Sequence, residues 1–284
     1  MRDLPKILLP VDFSDRCFGA AHFARDLAHH FHSELTLLHV LAPAYHPIPM
    51  EMAAYFAPRP AEARKALDAF LSEELHEIAV RRVVLEGDPA GTIVDFAHSE
   101  KMDLIVMPTR GYGPFRRFLL GSVTAKVLHD SDCPVATGVH LEDAPPVESL
   151  LNRSVVAAID LEPHSEKVLE WAAGMARAFE ARLTAVHAIP SLEAQAGDYF
   201  DPNWRTILAT HARQRLERLQ QCMGLETEIL IESGDAPTVV RCAALRNSAS
   251  LLVIGRGSAG GVFGRLRTNA YAIIREAPCP VVSV

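Results

Sequence analysis

The chain is short of the signatures that mark most enzymes. Its five cysteines, Cys17, Cys133, Cys222, Cys242 and Cys279, form no C-x-x-C pair and no metal-ligand spacing. That excludes a zinc ribbon and a dithiol redox centre, and free thiols fit a reducing cytoplasm. No Gly-x4-Gly-Lys-Ser/Thr run occurs, so no lysine bridges a γ-phosphate and fast ATP hydrolysis is not supported. Neither Ser14 nor Ser122 lies in a Gly-x-Ser-x-Gly elbow, and neither has a His/Asp partner readable from sequence. No apolar run approaches the ~20 residues of a membrane-spanning helix, and the N-terminus enters a strand-like segment without an apolar signal region. Lysine and arginine number 28 against 35 acidic residues, a net charge of −7. Neither half has the basic excess of a duplex DNA binder.

What is present is a regular alternation. At 284 residues the chain is long enough for two domains of about 140 residues, each with its own core. A hydrophobic content of 49% with 22% charged residues is that of an ordinary globular protein. Buried-strand runs at 7–11, 35–40, 83–85, 104–107 and 135–139 alternate with helical stripes. Ala20, Phe23, Leu27 and Phe31 form one stripe. Ala66, Leu67 and Phe70 form another, in a helix expected over 61–78, and Ile93, Phe96 and Ala97 a third. Gly87-Asp88-Pro89 reads as turn, N-cap and first helical residue. Five prolines between 41 and 60 exclude regular structure there.

The second half repeats the first. Asp12 recurs as Asp160 and His39 as His187, both at an offset of 148. Gly87-Asp88 recurs as Gly234-Asp235 and Met107-Pro108 as Ile254-Gly255, at 147. Cys133-Pro134 recurs as Cys279-Pro280, at 146. Offsets that move by single residues indicate a tandem duplication. The reading places domains at 1–140 and 153–284, with a Pro- and acid-containing linker at 141–152. Strands alternating with helices imply parallel sheets covered on both faces, a doubly wound α/β fold. His39 and His187 end equivalent strands and read as hydrogen-bonded core residues.

The stretch 101–140 carries the most chemistry. An apolar strand leads into Thr109-Arg-Gly-Tyr-Gly-Pro-Phe-Arg-Arg-Phe-Leu-Leu-Gly-Ser122, and a helix follows. A Gly-rich loop running from strand to helix N-terminus suits phosphate, because glycine admits close approach and the first helical N–H groups are unpaired. Ser122 is the expected N-cap, and Arg110, Arg116 and Arg117 add positive charge. Gly111, nine residues, then Gly121-Ser122 resembles the second part of the universal stress protein motif, Gly-x-x-Gly-x9-Gly-Ser/Thr. The following Cys-Pro-Val fits as well, and the resemblance extends along nearly the whole chain.

That resemblance implies two Rossmann-like domains of the adenine nucleotide α-hydrolase type, each with five strands in the order 3-2-1-4-5. It implies binding of ATP or a related adenine nucleotide, with magnesium as an accompanying ion, at Pro10, Asp12, Val40, Thr109, Arg110, Gly111, Gly113, Gly121, Ser122 and Val123. The expected role is a stress-response and signalling module without enzymatic activity. A ligand-free scaffold is the first alternative. A nucleotidyl-transfer enzyme is the second, and it lacks its signature Ser-Gly-Gly-x-Asp-Ser and His-x-Gly-His runs. The expected partners are the nucleotide, an unidentified protein, and the other half of the chain in an intramolecular pseudo-dimer through the fifth strands; a homodimer is a further expectation. Nucleic acid and membrane are not expected. Asp12 has a second reading as a cap for the first helix. Two departures stand out. Pro108 replaces the motif's first glycine, removing an N–H at a cost of about 1 kcal/mol if that group meets the ligand. In the second half Arg267 stands where the first has Gly121, although Thr268 keeps the hydroxyl.

Overall fold

A computed structural model describes residues 4–43, 59–109, 120–138, 153–190, 203–256 and 268–284. The chain divides into two compact units, one built mainly from 3–137 and the other from 144–284. The first runs β1 (Lys6–Pro10), α1 (Asp15–Phe31), β2 (Glu34–Leu41), α2 (Pro60–Ala69), β3 (Val80–Glu86), α3 (Pro89–Ser99), β4 (Leu104–Val106), α4 (Ser122–Asp130) and β5 (Val135–Thr137). β1 pairs in parallel with β2 and β4, β2 with β3, and β4 with β5. The order is therefore 3-2-1-4-5, as expected.

The second unit repeats it with β6 (Ser154–Ala158), α5 (Ser165–Ala178), β7 (Arg182–Ile189), α6 (Trp204–Met223), β8 (Glu228–Ser233), α7 (Ala236–Arg246), β9 (Ala249–Ile254), α8 (Thr268–Glu276) and β10 (Val281–Ser283). Here β6 pairs in parallel with β7 and β9, β7 with β8, and β9 with β10.

The central strands are apolar on both faces because helices cover both. Ile7, Leu8, Leu9, Leu35, Leu37, Leu38, Leu104, Ile105 and Val106 are fully buried, each leucine contributing about 1.5–3 kcal/mol. Phe18 of α1 meets Phe70 just beyond α2, at 5.0 Å between ring centroids, while α3 packs on α4. The helices thus sort into two pairs, one per face, as right-handed crossovers in this strand order require. In the second unit Trp171 of α5 is fully buried and anchors the corresponding layer.

The turn at 87–89 is as expected. Gly87 has φ 153°, the Asp88 carboxylate accepts from Gly91 N at 2.9 Å, and Pro89 opens α3. Helix α2 is shorter than the expected 61–78. It ends at Ala69, Phe70 turns extended, and Leu71 takes φ 48°. Arg82 of β3 donates to the carbonyls of Leu67 (3.0 Å) and Phe70 (3.3 Å), and a continuing helix would need Leu67 O for its own ladder. Ala63 rather than Ala66 joins Leu67 and Phe70 in the core; Ala66 is exposed. The fourth and fifth strands are each shorter than expected, and residue 139 and the linker lie outside the described residues.

Each third strand lies at an outer edge of its unit's pairing, and both edges are treated alike. Arg64 of α2 donates to Arg82 O at 3.0 Å, and Arg213 of α6 donates to Ile229 O at 3.4 Å. Covering an edge carbonyl with a cationic side chain discourages pairing with a foreign strand.

Candidate functional site

In a doubly wound sheet the strand order reverses between the first and fourth strands, and their carboxyl ends splay to leave a crevice. In the first unit Asp12 lies two residues beyond β1 and Thr109 three beyond β4. The sequence therefore brings both to that crevice, with the start of α4 beside them.

Asp12 is exposed, and its Oδ1 accepts from Ser14 N at 3.0 Å and from Ser14 Oγ at 2.6 Å. This Asx turn precedes α1, whose N-cap residue is Ser14 itself. The capping role read for Asp12 is corrected: the N-cap is Ser14, and Asp12, two residues ahead of it, holds the turn that leads into the helix. Between them Phe13 takes φ 60° and places its ring 4.7 Å from that of His39. His39 donates Nδ1–H to Val11 O at 2.7 Å, the satisfied strand-end histidine expected from sequence. Pro10 pairs with Leu38 on β2, and half-buried Val40 pairs with Leu85 on β3.

At the other wall Thr109 is buried and its carbonyl accepts from Gly121 N at 2.7 Å. The bond closes the loop between them at its base. Gly121, not Ser122, is the N-cap of α4, so the expected capping role of Ser122 is corrected. Ser122 is the first helical residue and exposed, with Val123 half-buried behind it. The reason is local: the extended backbone of Gly121 (φ −62°, ψ 146°) is what places its carbonyl to accept from Ala125 N at 2.8 Å. Helix geometry then leaves the N–H groups of Ser122, Val123 and Thr124 without partners inside the helix, the donors an anion needs. Arg110, Gly111 and Gly113, with Arg116 and Arg117, lie outside the described residues.

Two further contacts shape this wall, neither of them predicted. Thr124, buried within the first turn of α4, donates its hydroxyl to Pro108 O at 3.0 Å. Lys126 Nζ sits 3.0 Å from Asp88 Oδ2 and joins the N-terminus of α3 to α4. The Gly91 N–H and then the Lys126 ammonium hold the Asp88 carboxyl below its usual range, and Asp88 in turn raises the lysine. Pro108 itself is buried. A signal for Thr124 existed in the repeat, since its counterpart at offset 146 is Ala270.

The second crevice has the same carboxylate and a different wall. Asp160 Oδ1 accepts from Glu162 N and from Ser165 Oγ, both at 3.0 Å. His187 donates to Ile159 O at 2.7 Å. Gly255 takes the place of Pro108, and a Cβ built on it would meet Val168 Cγ2 at 3.2 Å. Gly257, Arg267 and the side chain of Thr268 lie outside the described residues. Among the described residues no group of three potential metal ligands gathers, and no helix is long and apolar enough to cross a membrane.

Two doubly wound α/β units in tandem, each with a carboxylate turn at its order reversal and a loop leading from the fourth strand into a helix, define the class. The sequence model of the universal stress protein family matches residues 4–137 and 152–284, and the chain belongs to that family. A universal stress protein of Mycolicibacterium smegmatis is 27% identical over 98% of this chain and 96% of its own length. One from Methanocaldococcus jannaschii is 34% identical over 46% of this chain and 79% of its own. A solved universal stress protein from Archaeoglobus fulgidus superposes with a TM-score of 0.71 at 23% identity, over 98% of this chain and 94% of that one.

Proposed function

We propose that the first unit binds ATP or a related adenine nucleotide, and that the chain is a nucleotide-responsive stress and signalling module of the cytoplasm rather than an enzyme. The observation that carries this reading is the Gly121 N to Thr109 O bond. It fixes a helix N-terminus, with unpaired N–H groups, across the crevice from Asp12. The triphosphate would lie on Ser122 and Val123 N–H and the Ser122 hydroxyl, with Arg110, Gly111 and Gly113 completing the loop. Asp12 engages Ser14 through Oδ1, and its remaining acceptor capacity suits a ribose hydroxyl or an amine. Pairing of the two halves through their fifth strands, a homodimer and a protein partner belong to the same proposal.

One observation favours a ligand-free scaffold as the second reading. The Asp12 turn is reproduced by Asp160, in a unit whose loop departs further from the motif, so the carboxylate has a structural use in both. Calorimetric titration of the purified chain with magnesium and ATP separates the two. The nucleotide reading expects saturable binding at one ATP per chain, and its absence leaves the scaffold.

A further inference from the structure

The two ends of the 109–121 loop are fastened to each other by two bonds from the start of α4. Gly121 N donates to Thr109 O at 2.7 Å, and Thr124 Oγ1 donates to Pro108 O at 3.0 Å. Thr124 is 3% exposed and Thr109 is 6% exposed, so water does not compete for these carbonyls as it would at the surface. Pro108 adds a third restraint, because its ring fixes φ where the strand leaves the sheet. The stem is therefore held at three points.

The second unit lacks both side-chain elements of this latch. Its counterparts are Gly255 for Pro108 and Ala270 for Thr124. Glycine is not there for backbone freedom, since among the described residues the glycines with positive φ are Gly87, Gly224 and Gly234. It is there for space, against Val168 Cγ2 at 3.2 Å. In the first unit the residue matching Val168 is Ala20, a smaller side chain, opposite the larger Pro108 in sequence register. Proline and threonine occur together in one half, glycine and alanine in the other.

We propose that Thr124 is a positioning residue for phosphate binding, acting with Pro108 as a preformed stem latch that aims the first N–H groups of α4 at the triphosphate. This rests on the nucleotide reading above. It also gives Pro108 a role other than a missing phosphate contact. A preformed stem spares the ligand the entropy of ordering the loop's ends. The saving falls on the phosphate end, because both bonds of the latch join the loop stem to the start of α4.

The test measures ATP with magnesium, and adenosine, by calorimetry on the full chain and on Thr124→Val and Thr124→Ser. Valine keeps shape and loses the donor. We expect Thr124→Val to weaken ATP about five- to tenfold, the scale of one buried hydrogen bond, with adenosine affinity unchanged and Thr124→Ser restoring ATP. Pro108→Gly is the second variant, used if valine impairs folding, and it should shift ATP in the same direction while sparing adenosine. Unchanged ATP affinity in the variant chosen overturns the latch while leaving the nucleotide reading intact. Equal weakening of ATP and adenosine also overturns it, showing general loosening instead. A natural chain that binds neither compound overturns the nucleotide reading, and the latch with it.

Discussion

The two halves keep each other's backbone bends more faithfully than each other's side chains. Four left-handed positions recur in register, Phe13 with Leu161, His32 with Glu180, Gly87 with Gly234 and Lys101 with Ser248, while Leu71 and Gly224 have no counterpart. Such a conformation costs a non-glycine residue roughly 1–2 kcal/mol, so its retention at phenylalanine and leucine marks a chain path that packing dictates. The carboxylate turn shows the other side. In both halves the backbone N–H two residues on donates to the aspartate, Ser14 N in one and Glu162 N in the other. The hydroxyl donor has moved, from Ser14 to Ser165, and Cys17 occupies the place of Ser165 in the first half. Duplication has preserved where the chain must bend and allowed the supporting chemistry to migrate. The crevice walls then diverged further, into a stem with Pro108 and Thr124 and one with Gly255 and Ala270.

The largest effect should come from exchanging the residue at the head of the loop's return. Gly121→Arg puts a long side chain and a Cβ where the clamped loop meets α4, and calorimetry should find ATP binding lost. Arg267→Gly, the reciprocal change, should leave the first unit's ATP affinity as in the natural chain. Two ATP sites of similar affinity in the unaltered chain, or loss of binding on changing Arg267 alone, would break the asymmetry between the halves.

A smaller effect probes the packing exchange beneath the stem. Ala20 is fully buried, and Ala20→Val imports the second half's side chain without its glycine partner. Overpacking of this kind costs about 1–3 kcal/mol in urea unfolding. Pro108→Gly placed in the same chain should recover part of that loss, because the pair then matches Val168 and Gly255. Strictly additive costs would show that the two positions do not share space.

Most of this fold was legible because its signals are local and repeated. Apolar strand runs, the Gly-Asp-Pro turn and five landmarks at nearly constant offset placed the elements without any three-dimensional information. What sequence missed depends on partners remote along the chain. The end of α2 at Ala69 is set by Arg82, which takes the carbonyls a longer helix would use. Ser122 looks like a cap by residue type, yet the extended Gly121 precedes the helix and takes that position. The expected meeting of Asp12 with the Gly loop falls largely on 110–119, outside the described residues, while the stem latch was not legible, since a threonine at the third position of a helix carries no signal alone. The comparison with Ala270 supplies one.

The effect smallest at neutral pH concerns the buried thiols. Cys17 sits under the Asp12 turn with its Sγ 3.7 Å from Pro10 O, and Cys279 lies at the end of the second unit's last helix-to-strand turn. Burial pushes each up to about 12 from an ordinary 9.0; in Cys17 the backbone N–H of Asp12 opposes the rise and its carboxylate adds to it. The folded chain therefore holds these protons where the unfolded chain has begun to release them. Their contribution is complete below about pH 9 and declines as pH rises from there toward 12, by roughly 1.4 kcal/mol per thiol per pH unit. Cys17→Ser, which installs the second half's residue at the matching place, should flatten the alkaline fall of the urea midpoint between pH 9 and 11. At pH 7 the loss of a buried sulfur should leave that variant slightly less stable than the natural chain. An alkaline slope identical to the natural one would mean that Cys17 does not retain its proton in the folded state, and that the turn above it is open to solvent.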